Sequence, residues 1–318
     1  MVELALGKRE LISIGKESTY GTSATRTYRF GRNAEVNPSN ENDWQEVSGS
    51  GTDTETLTYD IGNKIVKFTL RYVPQDWKFL TYVFGTTTNT DNGSYYTHTF
   101  SINTDWTIPS FTLERGISKS TPFTQIFTGC QVNSFTMSWR VHTGTGGTEN
   151  YVKVEADVWA KDVSKSTSIT SLSAPTTSGF LASNVILTID GTEKARCISG
   201  SITIENSLSD GRYAYYNSNY RTKSESFMQR RTFSGEFVLH YEDGTEFDLW
   251  NNGTAVSGDC KLEFKRGTHD KLTLTFVNFR IVSANDPTNL DGYNQMTIRW
   301  IADKITAEAE DNLSDYPT

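Results

Sequence analysis

The residue types that most often carry out catalysis are few in this chain and lie far apart. They are His98, His142, His240, His269, Cys130, Cys197 and Cys260. Nucleophilic catalysis requires a serine or cysteine beside a base and an orienting group, and no Gly-x-Ser-x-Gly turn marks such a serine. No two histidines have the i, i+4 spacing of a metal-binding helix. The sequence therefore predicts no catalytic site, no metal site and no cofactor.

Carboxylates are too common in this chain to mark a site by themselves. The chain has 38 Asp and Glu residues. Paired carboxylates on a β-sandwich could hydrolyse glycosidic bonds, but no pair is distinguished by its spacing. The glycines within residues 144–147 are predicted to lie between two strands, whereas a phosphate-binding loop leads from a strand into a helix. An enzyme acting on polysaccharides stays open as an alternative, to be recognised by turnover.

The segment Asn206–Arg231 interleaves tyrosines with basic residues. Six of them are our candidates for a contact surface: Arg212, Tyr213, Tyr215, Tyr216, Tyr220 and Arg221. Such a pattern can stack on single-stranded nucleic acid. Tyrosine and arginine are also enriched at protein–protein interfaces. Because the chain as a whole is acidic, we favour an assembly interface over a nucleic-acid site or a plain exposed loop.

Composition narrows the class of protein. The 318 residues carry a formal net charge of -8, which disfavours a protein that grips the phosphate backbone but is compatible with DNA passing by without specific binding. The three cysteines are odd in number and widely spaced, which favours buried free thiols in a reducing compartment. No segment approaches the roughly 20 apolar residues of a membrane span, and no secretory leader is visible. We therefore expect a soluble protein without a membrane span.

Alternating apolar and polar residues dominate the chain and predict an all-β fold. The pattern is clear in Phe68–Tyr72, Val152–Val158 and Ile198–Ile204. One face of such strands lies on a core and the other faces solvent, as in antiparallel sheets. Only two short helices are predicted. One contains Trp77–Phe84 and ends at a glycine, and a weaker one covers Glu246–Trp250.

The two halves of the chain share several sequence features in the same order. Phe68, Leu70 and Tyr72 correspond to a similar run in the second half, and each run leads into a predicted short helix. Two further pairs match, namely TETL of residues 54–57 with SESF of residues 224–227, and WAKD of residues 159–162 with WIAD of residues 300–303. The Ser- and Thr-rich segment Ser164–Gly179 is typical of a linker. We therefore predict two tandem domains, residues 1–170 and residues 171–318.

Three segments resemble a known family of proteins. The opening IGKESTYGT of residues 14–22, the stretch Ile198–Thr245 and the closing GYNQMTIRWIAD of residues 292–303 resemble the tail tube (major tail) proteins of long, non-contractile-tailed phages. We add Tyr20, which lies in the first of these segments, to the candidate interface residues. The resemblance extends over nearly the whole chain but includes no invariant catalytic motif.

The resemblance implies both a fold and a function. Each tail tube domain is a β-sandwich that curls into part of a barrel beside a short helix. Subunits form rings around a channel, and the rings stack into a tube through which double-stranded DNA leaves the virion. Arms and long loops bridge neighbouring subunits and rings. A chain with two such domains implies a homotrimeric ring with pseudo-sixfold symmetry, assembled in the host cytoplasm and joined to other tail proteins at the tube ends.

Other interpretations of the same sequence stay open at this point. A carbohydrate-binding or receptor-binding β-sandwich would also be acidic, aromatic and all-β, but would show an exposed aromatic platform on one sheet. A tail terminator would form single rings and never long tubes.

In the tail tube interpretation, an acidic channel wall would repel DNA, and the sequence does not show which acidic residues would line it.

Overall fold

The computed structural model describes residues 10–48, 56–103, 105–141, 150–194, 196–209, 223–241, 244–285 and 294–317. Within these ranges the protein is built almost entirely from antiparallel β-strands, which confirms the predicted all-β class. The strands are β1 (Glu10–Lys16), β2 (Tyr28–Arg29), β3 (Arg32–Ser48), β4 (Thr56–Val73), β5 (Thr86–Asp91), β6 (Tyr96–Ser101), β7 (Phe111–Ile117), β8 (Phe123–Arg140), β9 (Lys153–Ala160), β10 (Asp162–Ser166), β11 (Val185–Ile189), β12 (Thr192–Glu193), β13 (Cys197–Glu205), β14 (Thr232–His240), β15 (Cys260–Gly267), β16 (Asp270–Val277), β17 (Arg280–Asn285), β18 (Gln295–Ala302) and β19 (Lys304–Asp311).

Two short α-helices interrupt the strands, both near the predicted positions, and a further 3-10 turn covers Ala182–Asn184. A 3-10 turn over Lys78–Leu80 runs directly into α1 (Thr81–Phe84), which ends at Gly85 with a φ of 139°. The second helix, α2 (Thr245–Asn252), is longer than predicted and ends at Gly253 in the left-handed conformation. Glycine suits both ends because it has no Cβ to clash at positive φ.

The larger sheet has twelve strands, and its central part matters most for function. Eight of its strands follow each other in the order β3-β4-β9-β8-β13-β14-β18-β17, each antiparallel to the next, and we call them the central run. The C-terminal half of the long strand β8 lies in this run. Its N-terminal half pairs instead with β7 and β10, and β7 leads on to β1 and β2.

The second sheet has seven strands in the order β12-β11-β15-β16-β19-β6-β5. Its hairpin β5-β6 comes from the first half of the chain and pairs with β19 at the end of the second half. Large aromatic side chains from both halves, including Phe68, Phe237 and Trp300, belong to one hydrophobic cluster. The division into domains at residues 170 and 171 therefore stays a prediction about folding units, since strands of both halves share both sheets.

The predicted linker lies against the protein surface. Ser164–Ser166 belongs to β10. Further along, Arg29 donates a hydrogen bond to the carbonyl of Leu172 at 2.9 Å, and Gln75 donates one to the carbonyl of Pro175 at 3.0 Å. The connection between the halves is thus held by specific hydrogen bonds in the described structure.

The central run repeats its own order. Its first four strands are β3-β4-β9-β8 and its last four are β13-β14-β18-β17. In each set two strands that are consecutive in the chain come first, and the next two strands stand in reverse chain order. Phe68 and Phe237 are buried at matching places, and a helix follows β4 and β14 in turn. The first four and the last four strands of the central run therefore share one order and one helix position.

The predicted match of WAKD (residues 159–162) with WIAD (residues 300–303), which aligns Trp159 with Trp300, is wrong by one residue. Phe68 pairs with Val158, whereas its counterpart Phe237 pairs with Ile298. Trp300 is fully buried in the core, while Trp159 lies half-buried on the opposite face of its strand. Because side chains alternate between faces along a strand, a shift of one residue moves a side chain to the other face.

Candidate assembly surfaces

Six of the seven predicted interface residues lie outside the described residues. They are Arg212, Tyr213, Tyr215, Tyr216, Tyr220 and Arg221. Their role as a contact surface stays a prediction. The seventh, Tyr20, is described, as are the segments that flank these six.

Tyr20 lies in a turn that is fixed by a buried carboxylate, Glu17, which accepts four hydrogen bonds. Glu17 accepts hydrogen bonds from the backbone N–H of Gly21 at 2.7 Å and of Gly129 at 2.9 Å. It also accepts hydroxyl hydrogen bonds from Ser110 at 2.7 Å and Thr112 at 2.8 Å. A buried charge is tolerated when its hydrogen bonds are satisfied, so Glu17 fixes the turn that follows it.

From this turn, Tyr20 reaches the second half of the chain. Its hydroxyl donates a hydrogen bond to the carbonyl of Ser224 at 3.1 Å, and the ammonium of Lys161 lies 5.4 Å from its ring centroid. Ser224 comes just after the predicted interface residues. Tyr20 therefore anchors the base of that segment to the N-terminal strand β1.

A single glutamine, Gln131, joins two backbone segments close to Tyr20. One contains Trp106 and Ile108, and the other contains Ser226 and Met228. The buried Gln131 donates hydrogen bonds to the carbonyls of Ile108 at 3.2 Å and Ser226 at 3.0 Å. It accepts one from the N–H of Ser226 at 3.0 Å. The N–H of Met228 donates to the carbonyl of Trp106 at 3.2 Å. The two segments are thus fixed side by side.

Two aromatic side chains on these segments are exposed. Trp106 is 56% exposed and Phe227 is 58% exposed, and Trp106 has a φ of 62°, which is unfavourable for a residue with a Cβ. Exposed aromatic residues on a rigid support are typical of contact surfaces. In the described structure the exposed aromatic side chains lie on loops and on α2, so they do not form the platform expected of a carbohydrate-binding sheet.

The face of the central run that points away from the core is polar and nearly balanced in charge. Arg71 forms ion pairs with Glu155 at 2.8 Å and Glu35 at 3.4 Å, and Arg299 pairs with Glu236 at 3.2 Å. Short hydroxyl side chains fill the strands between these pairs: Ser134, Thr136, Ser138, Ser199, Ser201 and Thr203. Carboxylates and cations alternate here, in place of a uniformly acidic surface.

The two ends of the central run are strand edges. Within the described residues, β3 pairs only with β4, and β17 pairs only with β18. Since adjacent strands of the eight are antiparallel throughout, β3 and β17 run in opposite directions. An open edge presents unpaired backbone groups to another strand. These two edges can therefore join one another between copies of the chain without breaking the antiparallel order.

The first helical segment is buried at the junction between the halves. Every residue of Lys78–Phe84 is buried. The guanidinium of Arg231 donates hydrogen bonds to the carbonyls of Val83 at 2.9 Å and Phe84 at 3.1 Å, and to the side chain of Asn206 at 2.7 Å. Burial lowers the pKa of Arg231 to about 10, so it stays charged at neutral pH.

The second helix is mostly exposed. Only Glu246 is buried on α2, where it accepts two hydrogen bonds from Arg196 at 2.7 and 2.9 Å and pairs with Lys194 at 2.8 Å. Phe247 is 44% exposed and Trp250 is 37% exposed. The two helices thus occupy matching places in the central run but differ in what covers them.

Comparison with known proteins agrees with this architecture. The sequence model of the phage tail tube protein family matches residues 7–308, which is nearly the whole chain. The chain belongs to the phage tail tube protein family. No curated protein matches the chain. Membership makes it a structural protein of the virion that assembles with itself, and members of such a family are not normally enzymes.

The three cysteines of this tail tube protein lie in the described part of the chain. Burial raises the pKa of the Cys130 and Cys260 thiols and raises that of Cys197 to about 12, so all three are protonated at neutral pH. All three are free, as predicted, although Cys197 is half-buried. Among these residues, no group of His, Cys, Asp and Glu is placed to hold a metal ion, and no helix is long and apolar enough to cross a membrane.

Sequence patterns alone missed the residues that shape these surfaces. Gln131 and Asn206 look like ordinary polar residues of a strand end, and Arg231 looks like one more member of a basic stretch. The one sequence signal that could have singled out Gln131 is a polar residue placed between apolar residues of a predicted strand. Nothing local marks β3 and β17 as edges, since an edge depends on the order of strands.

Proposed function

We propose that this tail tube protein forms a homotrimeric ring in which the central runs of neighbouring copies join into one continuous β-barrel around a channel. Rings then stack into a hollow tube that conducts the viral genome into the host, as in a long-tailed, non-contractile phage. The observation that carries this proposal is the central run with two open edges of opposite direction. Rotational symmetry closes such head-to-tail contacts into a ring, while stacking along the axis stays open.

The junction between the halves offers an internal precedent for the ring contact. Ser134–Arg140 of β8 pairs in antiparallel fashion with Ser199–Glu205 of β13. In the repeated order of the central run, β17 takes the place of β8, and β3 takes the place of β13. Pairing of β17 with β3 of the next copy would therefore repeat a contact that the chain already makes within itself.

The hairpin β3-β4 is suited to bridging neighbouring subunits or rings. The pairing of β4 with β9 ends at Val66, while its pairing with β3 continues from Ile65 to Thr56. At roughly 3.3 Å per residue, this two-stranded extension reaches about 30 Å beyond β9. A contact between rings through this extension would supplement the predicted interface near Tyr20.

We place the polar face of the central run on the channel side. DNA binding requires cations that can replace the counterions of phosphate. Arg71 and Arg299 are already paired with carboxylates, so neither is free to hold the backbone. The surface would let DNA slide because Arg71 and Arg299 are neutralised and carboxylates lie among the cations of this face. Repulsion by a uniformly acidic wall is not needed.

Electron microscopy of the purified protein tests the ring and the tube. We expect hollow tubes or stacked rings in negative stain, and a mass of three chains for a single ring by light scattering. Single rings that never stack would support a tail terminator instead. A compact monomer at every concentration, even after seeding with tail tips, would overturn the proposal.

A charge variant tests which face lines the channel. Glu35→Gln together with Glu155→Gln leaves Arg71 without a carboxylate, and we expect tubes assembled from this variant to retain duplex DNA in a salt-dependent manner. Glu263→Gln with Glu308→Gln, on the second sheet, is the matched control and should behave like the wild type. Equal DNA retention by all three proteins would contradict the assignment of the channel face.

A further inference from the structure

The exposed face of α2 carries two large aromatic side chains one turn apart. The ring centroids of Phe247 and Trp250 lie 5.1 Å apart, and the two residues are 44% and 37% exposed. The helix is held from its other side by the buried Glu246 and by Leu249, which packs against the core. Residues three apart lie on the same face of a helix. The pair is therefore a fixed apolar surface that the described residues leave partly exposed.

The first half of the chain shows what covers a helix in this position. The segment Lys78–Phe84 lies against β8, and β13 adds to the edge of β8. Asn206 follows β13, and Arg231 precedes β14. Both donate hydrogen bonds to the carbonyl of Val83. The strand pair that extends the sheet past β8 is thus the same element that covers the helix.

The second half repeats this arrangement, but its described residues include no such cover. α2 lies against β17, as the first helix lies against β8. Among the described residues β17 pairs only with β18, so none of them forms the strand pair that would follow it. In the repeated order of the central run, that strand pair corresponds to β3-β4. Its own edge, β3, is open and runs in the direction required to pair with β17.

We propose that the Phe247–Trp250 face binds the β3-β4 strand pair of a second copy of this chain, so that each ring contact combines strand pairing at β17 with burial of this face. The proposal rests on the ring described under Proposed function. It adds that strand pairing alone does not hold the ring, because backbone hydrogen bonds at an edge exchange with water while apolar burial contributes net stabilisation.

Substitution of the aromatic pair tests this contact. We expect Phe247→Ser with Trp250→Ser to fold with a Tm close to that of the wild type and to require at least tenfold higher protein concentration for ring formation. Val277→Ser, which also changes an exposed apolar residue (40% exposed) but on β16, is the matched control and should assemble normally. Normal assembly of the double variant would overturn the proposal while leaving the ring itself intact.

Cross-linking keeps the proposal testable if the double variant misfolds. A photo-crosslinking residue in place of Trp250 should, after assembly, link to peptides from residues 32–43 or 62–73. Mixing heavy-isotope-labelled and unlabelled protein shows whether the link joins two copies. Links only within one copy, or to another region of the neighbour, would refute the proposal. Failure of the wild type to form rings would instead refute the proposed function, and with it this contact.

Discussion

The two helical segments that follow β4 and β14 are alike in place and unlike in environment. The first is buried on all sides by elements of both halves, and its last carbonyls receive hydrogen bonds from Arg231. The second is mostly exposed, with Glu246 buried and Leu249 partly buried against the core. The first helix lies at a junction that the chain completes by itself, while the second lies at the open edge of the central run. The difference indicates where a neighbouring copy must bind.

The largest expected effect concerns the core residues on β4 and β14, the strands that the two helices follow. Phe68→Ala and Phe237→Ala each remove a fully buried ring at matching positions, and each should lower the free energy of unfolding by about 3–5 kcal/mol. Urea unfolding followed by tryptophan fluorescence and by circular dichroism measures both. A single transition that both variants shift would make the halves one folding unit. Two transitions, each shifted by one variant, would support the division at residues 170 and 171.

The buried acid of α2 comes next. Glu246→Gln leaves the buried Arg196 and Lys194 without their carboxylate, which should lower the free energy of unfolding by about 3 kcal/mol. Chemical unfolding at neutral pH gives the value. Glu308→Gln, an exposed acid on β19, is the control and should change it by less than about 0.5 kcal/mol. Equal effects of the two substitutions would show that α2 is not held by this ion cluster.

Substitution of Arg231 tests the hydrogen bonds that cover the end of the first helix. Arg231→Met keeps much of the side-chain volume but removes the donor to the carbonyl of Phe84 and to the side chain of Asn206, and leaves the carbonyl of Val83 with Asn206 alone. We expect a loss of about 2 kcal/mol, because a buried acceptor left unsatisfied carries a desolvation cost. Arg299→Met, at an exposed ion pair, should cost less than about 0.5 kcal/mol. A neutral Arg231→Met would mean that solvent replaces the guanidinium at this junction.

The acid before the first helix should act in the opposite direction to Glu246. Burial raises the pKa of Asp76 from 3.8 to about 6, and the hydrogen bond from the N–H of Lys78 only partly offsets this. The folded protein therefore binds the Asp76 proton more tightly than the unfolded chain. The stabilisation from this proton is full below about pH 4 and is lost as the pH rises through about 6.

Asp76→Asn removes this loss. At pH 7 the variant should be more stable than the wild type by about 2 kcal/mol, and at pH 4 the two should be equal. Unfolding experiments across this pH range test the difference between the two proteins. A variant that is less stable than the wild type at pH 7 would show that the ionised carboxylate is stabilised by Lys78 more than burial opposes it.

The smallest effect on folding is expected in the predicted interface. Tyr215→Ala with Tyr216→Ala should change the free energy of unfolding by less than about 0.5 kcal/mol and still weaken polymerisation. Comparison with the Phe247 and Trp250 double variant separates the two surfaces. Wild-type polymerisation of the tyrosine variant would remove the assembly role assigned to residues 206–231.

Local patterns in the sequence were sufficient for the elements of the fold. Alternation around Phe68 and Val154 predicts strands because one face of each must be buried, and Gly85 predicts the end of the first helix because it tolerates positive φ. The helical spacing of Trp77, Leu80 and Phe84 likewise requires only near neighbours along the chain. These features depend on short-range sterics and periodicity, so they can be predicted without the structure.

The residues of the candidate interface could be predicted only in part from such local patterns. Tyr20 is a candidate because it lies in a segment resembling the family, but its hydrogen-bond partner, the carbonyl of Ser224, is 204 residues away along the chain. The one-residue error between Trp159 and Trp300 has a similar origin. Matching letters do not reveal which face of a strand a side chain occupies, since that depends on the pairing register.

The sequence by itself determined the all-β class, the short helices, the free cysteines and the family. Each of these depends on the local spacing of residues or on segments that resemble those of known family members. Only the tertiary structure decided that β3 and β17 are edges, that Arg231 covers the first helix, and that Phe247 and Trp250 remain exposed on the second. Edges and covers arise from the order in which distant strands pair. That order is set by the packing of the whole core, which no single segment of the sequence specifies.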